Sequence, residues 1–428
     1  MRGGVFFLFA VFCFNAQAQF KNVRLSNVEA SYPVAPSVII NAKNPDHIIA
    51  GIANTTFYSA DAGTTWTESK LTSSFGVEGN VLLLADSKGR AYLFHSTNGA
   101  GQGQSNDAYM DRIGIQESED GGKTWLETGA IATNVAKDHA YPRVAIHPRK
   151  QTWYATWTQF DRYGLKDVAC QSHILFSKSG SSGKKWSAPL QLSRNPGDCT
   201  DSEETPGGAT PVVGMDDKMF AVWSNQGTIY FDRSYDGGDT WLGDDVALTK
   251  QAGGWQMPVP GVGESNGMPL LLIDNSTSPY HGSIYIVWAD QKSGKDDTDI
   301  WMIRTHNRGD NWTAPLRINQ DSVGHHQFMP WAVIDQITGH LYVVYYDRRA
   351  HDDQQTDVYL AYSVDGGSSF KEKQISENSF TPEEKVFSIH NGIAAHKGVI
   401  VPVWTRTDGG KISVWTTTIK ESDLLKMK

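Results

Sequence analysis

Short apolar runs come in pairs along this chain. Residues 141–147 (YPRVAIH) are followed after a turn by residues 153–157 (WYATW), residues 268–274 (MPLLLID) by 284–288 (IYIVW), and residues 329–335 (MPWAVID) by 341–345 (LYVVY). Runs this short, rich in β-branched and aromatic residues and bounded by turn formers, predict antiparallel strands rather than helices. Further units start near Ala35, Gly79 and Thr210, and a seventh near His390, with residues 393–396 (IAAH) and 401–404 (VPVW).

An octapeptide of the form Ser-x-Asp-x-Gly-x-x-aromatic punctuates the pairs. Full copies stand at residues 59–66 (SADAGTTW), 118–125 (SEDGGKTW), 234–241 (SYDGGDTW) and 363–370 (SVDGGSSF). Two degenerate copies, residues 179–186 (SGSSGKKW) and 305–312 (THNRGDNW), fill the gaps, so the aromatic ends recur every 55 to 71 residues. A repeat of this size means a modular array. The short Asp side chain can accept hydrogen bonds from backbone N–H groups downstream, and Gly supplies positive φ. Each copy therefore reads as a turn that staples two strands, with the aromatic residue anchoring it.

Six octapeptides accompany seven strand pairs. The last pair runs into residues 411–419 (KISVWTTTI), a third strand, and lacks a fourth. Residues 20–27 (FKNVRLSN) resemble the segments that follow the octapeptides, such as 370–377 (FKEKQISE). The expected architecture is all-β: a seven-bladed β-propeller of four-stranded antiparallel blades, with the N-terminal strand closing the last blade and removing free sheet edges.

The octapeptide is identified as an Asp-box, and on these copies the chain resembles the bacterial neuraminidase repeat proteins, the sialidase-like β-propellers. The resemblance covers nearly the whole chain after residue 18. It implies that the boxes sit on turns away from the active site, and that the protein is carbohydrate-active. Sialidase catalytic domains are six-bladed, so a seventh unit departs from that pattern.

Composition adds limits. Residues 1–18 combine Arg2, an apolar run over 5–14 and Ala16-Gln17-Ala18, which predicts a cleaved signal peptide, with residues 19–428 forming one domain. The expected location is therefore secreted or periplasmic, without membrane insertion. Cys13 falls in the signal segment; Cys170 and Cys199 remain as an even pair, and a disulfide is expected. A formal charge of −9 argues against nucleic acid as a partner, so an anionic substrate must be drawn by local Arg and His. A monomer acting on a glycan or polysaccharide is expected. No cofactor and no catalytic metal are expected, although the acidic loops 295–299 (KDDTD) and 198–204 could hold structural calcium.

Candidate chemistry lies on the face opposite the octapeptides, where positions break the repeat. Arg143 is the only charge in its column of the seven units, and Tyr141 and His139 precede it. An Arg at the channel mouth can grip a carboxylate or sulfate through paired hydrogen bonds. His390 and Glu78 occupy the same predicted rim, His326 lies in the linker before the sixth unit, and Asp347, Arg348 and Arg406 stand where second strands end. Three functions fit. A sialidase-like hydrolase would use Arg143, Arg348 and Arg406 on the substrate carboxylate, Tyr141 or Tyr346 as nucleophile, and Asp347 or Asp161 as acid. In this scheme Glu78 is the obvious carboxylate helper, and the arginine expected near residues 31–36 (SYPVAP) is absent. A polysaccharide lyase of the ulvan-lyase type, which this chain resembles in blade number, would use Arg143, Tyr141 and a His (139, 325 or 390) around the C5 proton. A non-catalytic propeller would bind glycan or protein on the same rim.

Overall fold

The computed structural model describes residues 20–28, 34–97, 110–132, 134, 136–180, 182–322, 324–384 and 387–426. Residues 1–18, expected to be a signal peptide, lie outside them. Seven four-stranded antiparallel sheets follow one another along the chain. Blade 1 is built from Ser37–Ile40, Ile48–Ile52, Thr55–Ser59 and Thr67–Lys70. Blade 3 is built from Asp138–Ile146, Trp153–Phe160, Ser172–Ser179 and Leu190–Gln191. Blade 6 is built from Gln327–Ile334, Leu341–Asp347, Asp357–Ser363 and Lys371–Gln374. First strands of neighbouring blades pack side by side around a central channel, and the octapeptides join third strands to fourth.

The expected closure is present. Gly392–His396, Val399–Asp408 and Lys411–Thr416 form blade 7, and Val23–Val28 pairs antiparallel with Lys411–Thr416 as its outer strand. A parallel bridge between Val34 and Ser388 fastens blade 7 to blade 1. A β-hairpin, Gln256–Val259 with Gly263–Asn266, is inserted before blade 5 and had no counterpart in the repeat pattern.

The core lies in the seams between blades. Second strands such as Met219–Asn225 and Leu341–Asp347 are buried at every position, while fourth strands such as Thr67–Lys70 are largely exposed. Trp157, Trp223, Trp288 and Trp404 sit at equivalent places in their second strands and are fully buried. Each such ring contributes about 3–5 kcal/mol against truncation to Ala.

The octapeptides act as staples in full detail. In the second copy the Ser118 hydroxyl donates to Asp120 at 2.9 Å and accepts the Gly122 N–H at 2.9 Å. Asp120 then accepts the Lys123 and Thr124 N–H groups, each at 3.0 Å, and the Thr124 hydroxyl at 2.6 Å. Asn307 replaces Asp in the degenerate copy and still accepts the Asn311 N–H at 3.0 Å. Their carboxylates are consumed by the turn: hydrogen bonds hold Asp61 and Asp236 down to about 2.

Among the described residues no helix is long and apolar enough to cross a membrane.

Candidate functional site at the channel mouth

The first strands enter the channel through bulges. In blade 3 the pairing with the second strand jumps between Ala140 and Arg143, and Tyr141 takes a left-handed φ of 55°. Blade 6 repeats the jump between Phe328 and Trp331, with Met329 at 51°. A left-handed non-glycine residue directly before proline is costly, and such strain concentrates at functional positions. The extra residue also shifts the in–out alternation. His139, before the bulge, turns into the blade, while Arg143, after it, lines the channel. In blade 4 the jump falls between Gly207 and Thr210, so Thr210 is the residue equivalent to Arg143. Matching Pro211 to Pro142 by sequence alone would place Val212 there, but Pro211 lies two residues further along its strand than Pro142 does.

Arg143 reaches the Trp331 ring, with its guanidinium carbon 5.0 Å from the ring centre. His390 also stacks on that indole, at 4.0 Å and 16°. Blades 3, 6 and 7 thus meet in one stack at the channel. Arg143 is 9% exposed and has no carboxylate partner among the described residues; its Nη1 donates to the Pro142 carbonyl at 3.2 Å and its Nε is buried without a partner. Burial pushes the guanidinium down to about 10, leaving it charged at neutral pH, with the neighbouring Tyr141 phenol acting in the other direction. The His390 Nδ1 lies 2.7 Å from the Asn391 carbonyl and donates to it, which leaves Nε2 as the acceptor. Burial first, then the Arg143 charge, pushes this imidazole down to about 3, so it is neutral.

Beside the stack, Tyr141 donates its hydroxyl to both Asp201 oxygens, at 2.8 and 2.7 Å, and Tyr163 donates to the same carboxylate at 2.7 Å. Burial raises the Asp201 carboxyl above its ordinary range, against the pull of the two phenols. Asp201 too has a left-handed φ, 57°. The loop carrying Tyr163 and the loop carrying Asp201 are tied by the expected disulfide, Cys170–Cys199, and by a 2.7 Å hydrogen bond from the Gly164 N–H to the Cys199 carbonyl. Trp255 packs edge-on to Tyr141 at 6.2 Å.

Tyr141, Arg143 and His390, among the residues singled out from sequence, are therefore brought together. The others lie elsewhere. His139 is 1% exposed; its Nδ1 accepts the Trp157 indole N–H at 3.0 Å, and burial pushes it down to about 4. Asp347 is buried in an ion pair with Arg349 at 2.6 Å, which Glu372 shares at 2.8 Å. Arg348 donates to Thr356 and Pro260 and lies over Phe328, whereas Arg406 lies over Phe380 and Trp415. The three arginines thus face different aromatic surfaces. Tyr346 is locked between blades by a 2.9 Å bond to the Thr405 carbonyl, and Asp161 pairs with Lys137. His326 sits 3.0 Å from the Thr298 hydroxyl and is pushed down to about 4, by burial and the Arg348 charge. Glu78 begins the first strand of blade 2, and its side chain lies outside the described residues.

Asp201 and Tyr163 were not singled out as site residues from sequence. Trp331 follows Pro330 as Arg143 follows Pro142, so its place beside the site is readable from the repeat. Among the described residues no group of three His, Cys, Asp or Glu side chains is placed to hold a metal. The Asp198 carboxylate, in one of the acidic loops, accepts the Thr205 hydroxyl at 2.7 Å as well as those of Thr200 and Ser202.

No family model matches the chain, and no curated protein matches it in sequence. Solved structures share its fold. A polysaccharide lyase, PL25 ulvan lyase, bound to -[GlcA(1-4)Rha3S]-, aligns over 95% of this chain and 99% of its own at 12% identity, TM-score 0.53. A mutant of NanB sialidase from Streptococcus pneumoniae aligns over 95% and 98% at 10% identity, TM-score 0.51. The GH93 α-L-arabinofuranosidase of Fusarium graminearum aligns over 94% and 98% at 13% identity, TM-score 0.51.

Proposed function

We propose that this chain is a carbohydrate-active propeller, and specifically a sialidase-like glycoside hydrolase acting on an acidic glycan. The observation that carries the reading is the Tyr141–Asp201 couple beside an arginine that has no carboxylate partner among the described residues. A phenol is a poor nucleophile until it loses its proton, and a carboxylate at 2.7–2.8 Å can take that proton as the bond forms. In this scheme Arg143 holds the sugar carboxylate. Tyr141 Oη bonds to the anomeric carbon as its proton passes to Asp201, the glycosidic C–O bond breaks, and the leaving oxygen takes a proton from solvent water. A second water then attacks the anomeric carbon and gives its spare proton back to solvent, and the released tyrosine recovers its own proton from Asp201. Tyr163 holds the Asp201 carboxylate in line. The names of the proteins sharing the fold, a sialidase, an arabinofuranosidase and an ulvan lyase, support a sugar substrate in general.

The neutral His390 favours a second reading, a uronate lyase, in which Nε2 accepts the C5 proton, Arg143 neutralises the carboxylate, and Tyr141 gives its hydroxyl proton to the leaving oxygen as the C4–O bond breaks. Turnover of a fluorogenic sialoside supports the hydrolase; a rise in ultraviolet absorbance from unsaturated products on uronate polymers supports the lyase instead. Under either reading, Tyr141→Phe and Arg143→Ala should abolish turnover while the thermal melt stays near that of the parent. Full activity in Arg143→Ala would remove this site from consideration.

A further inference from the structure

Below the Arg143–Trp331 contact the channel widens into a cavity of about 450 Å³ that runs to the turns between first and second strands, on the octapeptide face. Its wall is mostly apolar, with Leu82, Val144, Ile146, Val212 and Leu271 from four blades beside Trp331, and with Thr210, Asn275 and Gln336 as its uncharged polar side chains. Arg143 is the only charged residue among the described residues that line it. Near the outer end, the Asn275 N–H donates to Gln336 at 2.9 Å, which makes a polar mouth. The volume is about three times that of an engineered apolar cavity that holds benzene, enough for a chain on the order of ten carbons.

We propose that this half of the channel binds a linear carboxylic acid, with the alkyl tail against the apolar wall and the carboxylate on Arg143. A sugar does not suit it, since hydroxyl groups facing Leu, Ile and Val would lose their hydrogen bonds to water without replacement. An all-apolar ligand would leave the arginine without an anion. Arg143 spends Nη1 on the Pro142 carbonyl, its Nε is closed off by burial, and its guanidinium carbon lies 5.0 Å from the Trp331 ring centre, which leaves Nη2 for a ligand. A charged N–H donor there bonds a carboxylate oxygen more strongly than an alcohol oxygen. Binding is measured without glycan, because the sugar carboxylate of the reaction proposed above would occupy the same guanidinium.

Calorimetry with decanoate and decanol on the whole chain tests this. Decanoate should bind at least about tenfold more tightly than decanol, a difference of roughly 1.4 kcal/mol. Arg143→Met should erase that preference, and Leu271→Trp, which fills the cavity, should remove binding of both. If Leu271→Trp does not fold, a terminally brominated decanoate should quench tryptophan emission in the parent, and that component of quenching should vanish in Trp331→Phe. No decanoate binding, equal affinity for acid and alcohol in the parent, undiminished binding in a folded Leu271→Trp, or quenching unchanged in Trp331→Phe would each overturn the proposal.

Discussion

Asp201 accepts hydroxyls from two tyrosines, one of them held in left-handed backbone, and little of that is needed to stabilise a loop. As the base for Tyr141 it must be ionised to work, and burial raises its pKa. Turnover should therefore rise with pH along a limb placed above the ordinary carboxylate range. Asp201→Asn keeps an acceptor for both phenols but cannot take a proton. The expected loss in kcat is about 10²- to 10⁴-fold, with the acidic limb gone from the pH profile. A pH profile unchanged by that substitution would show that Asp201 only positions Tyr141. Arg143 was legible from sequence because it breaks its own column. Asp201 was not, because its role depends on a contact across sixty residues of chain that the repeat does not encode. His139 looked equivalent to Tyr141 for the opposite reason: a bulge, invisible in the letters, sends the two side chains to different surroundings.

Among the elements, the octapeptide turns were the most legible part of the fold, since local hydrogen bonds dictate them. Their worth is measurable. Ser118 is 1% exposed, and its hydroxyl is the acceptor for the buried Gly122 N–H. Ser118→Ala should cost about 1–2 kcal/mol in chemical denaturation and leave catalysis and ligand binding unchanged. The Cys170–Cys199 loop pair should behave in the opposite way. It ties Tyr163 to Asp201 on the far face, so a Cys170→Ser, Cys199→Ser double variant should lose turnover well below the temperature at which the blades melt. Coincident loss of activity and secondary structure would mean that the bridge serves global stability alone. The inserted hairpin of residues 256–266 escaped the sequence reading because it follows no repeat. It nonetheless supplies a 2.7 Å acceptor, the Pro260 carbonyl, to Arg348.

At the scale of the whole ring, seven seams each bury their own cluster, and titratable groups caught in them make stability depend on pH in opposing ways. The seven-blade count was readable because strand pairs and staples could be tallied against each other; which groups lose water in the seams was not. His139 is neutral in the fold, pushed down to about 4, whereas in the unfolded chain it titrates near the ordinary ~6.5. The unfolded state thus binds more protons between these values, and the contribution of His139 is full above pH ~6.5 and falls as the pH drops toward 4. Asp232 runs the other way. Burial pushes its carboxyl up to about 7, so the fold holds a proton that the unfolded chain releases near ~3.9, and its contribution falls as pH rises from about 4 to 7. Melting temperatures of the parent, His139→Gln and Asp232→Asn measured from pH 4 to 7 should separate the two. Relative to the parent, His139→Gln should gain stability as the solution is acidified, by up to about 3 kcal/mol at pH 4, because Gln still accepts the Trp157 N–H and takes up no proton. Asp232→Asn should gain instead as the solution approaches neutrality. Parallel melting curves across this range for all three proteins would mean that both groups reach water in the native state, and that the seams around them are less tightly closed than their burial implies.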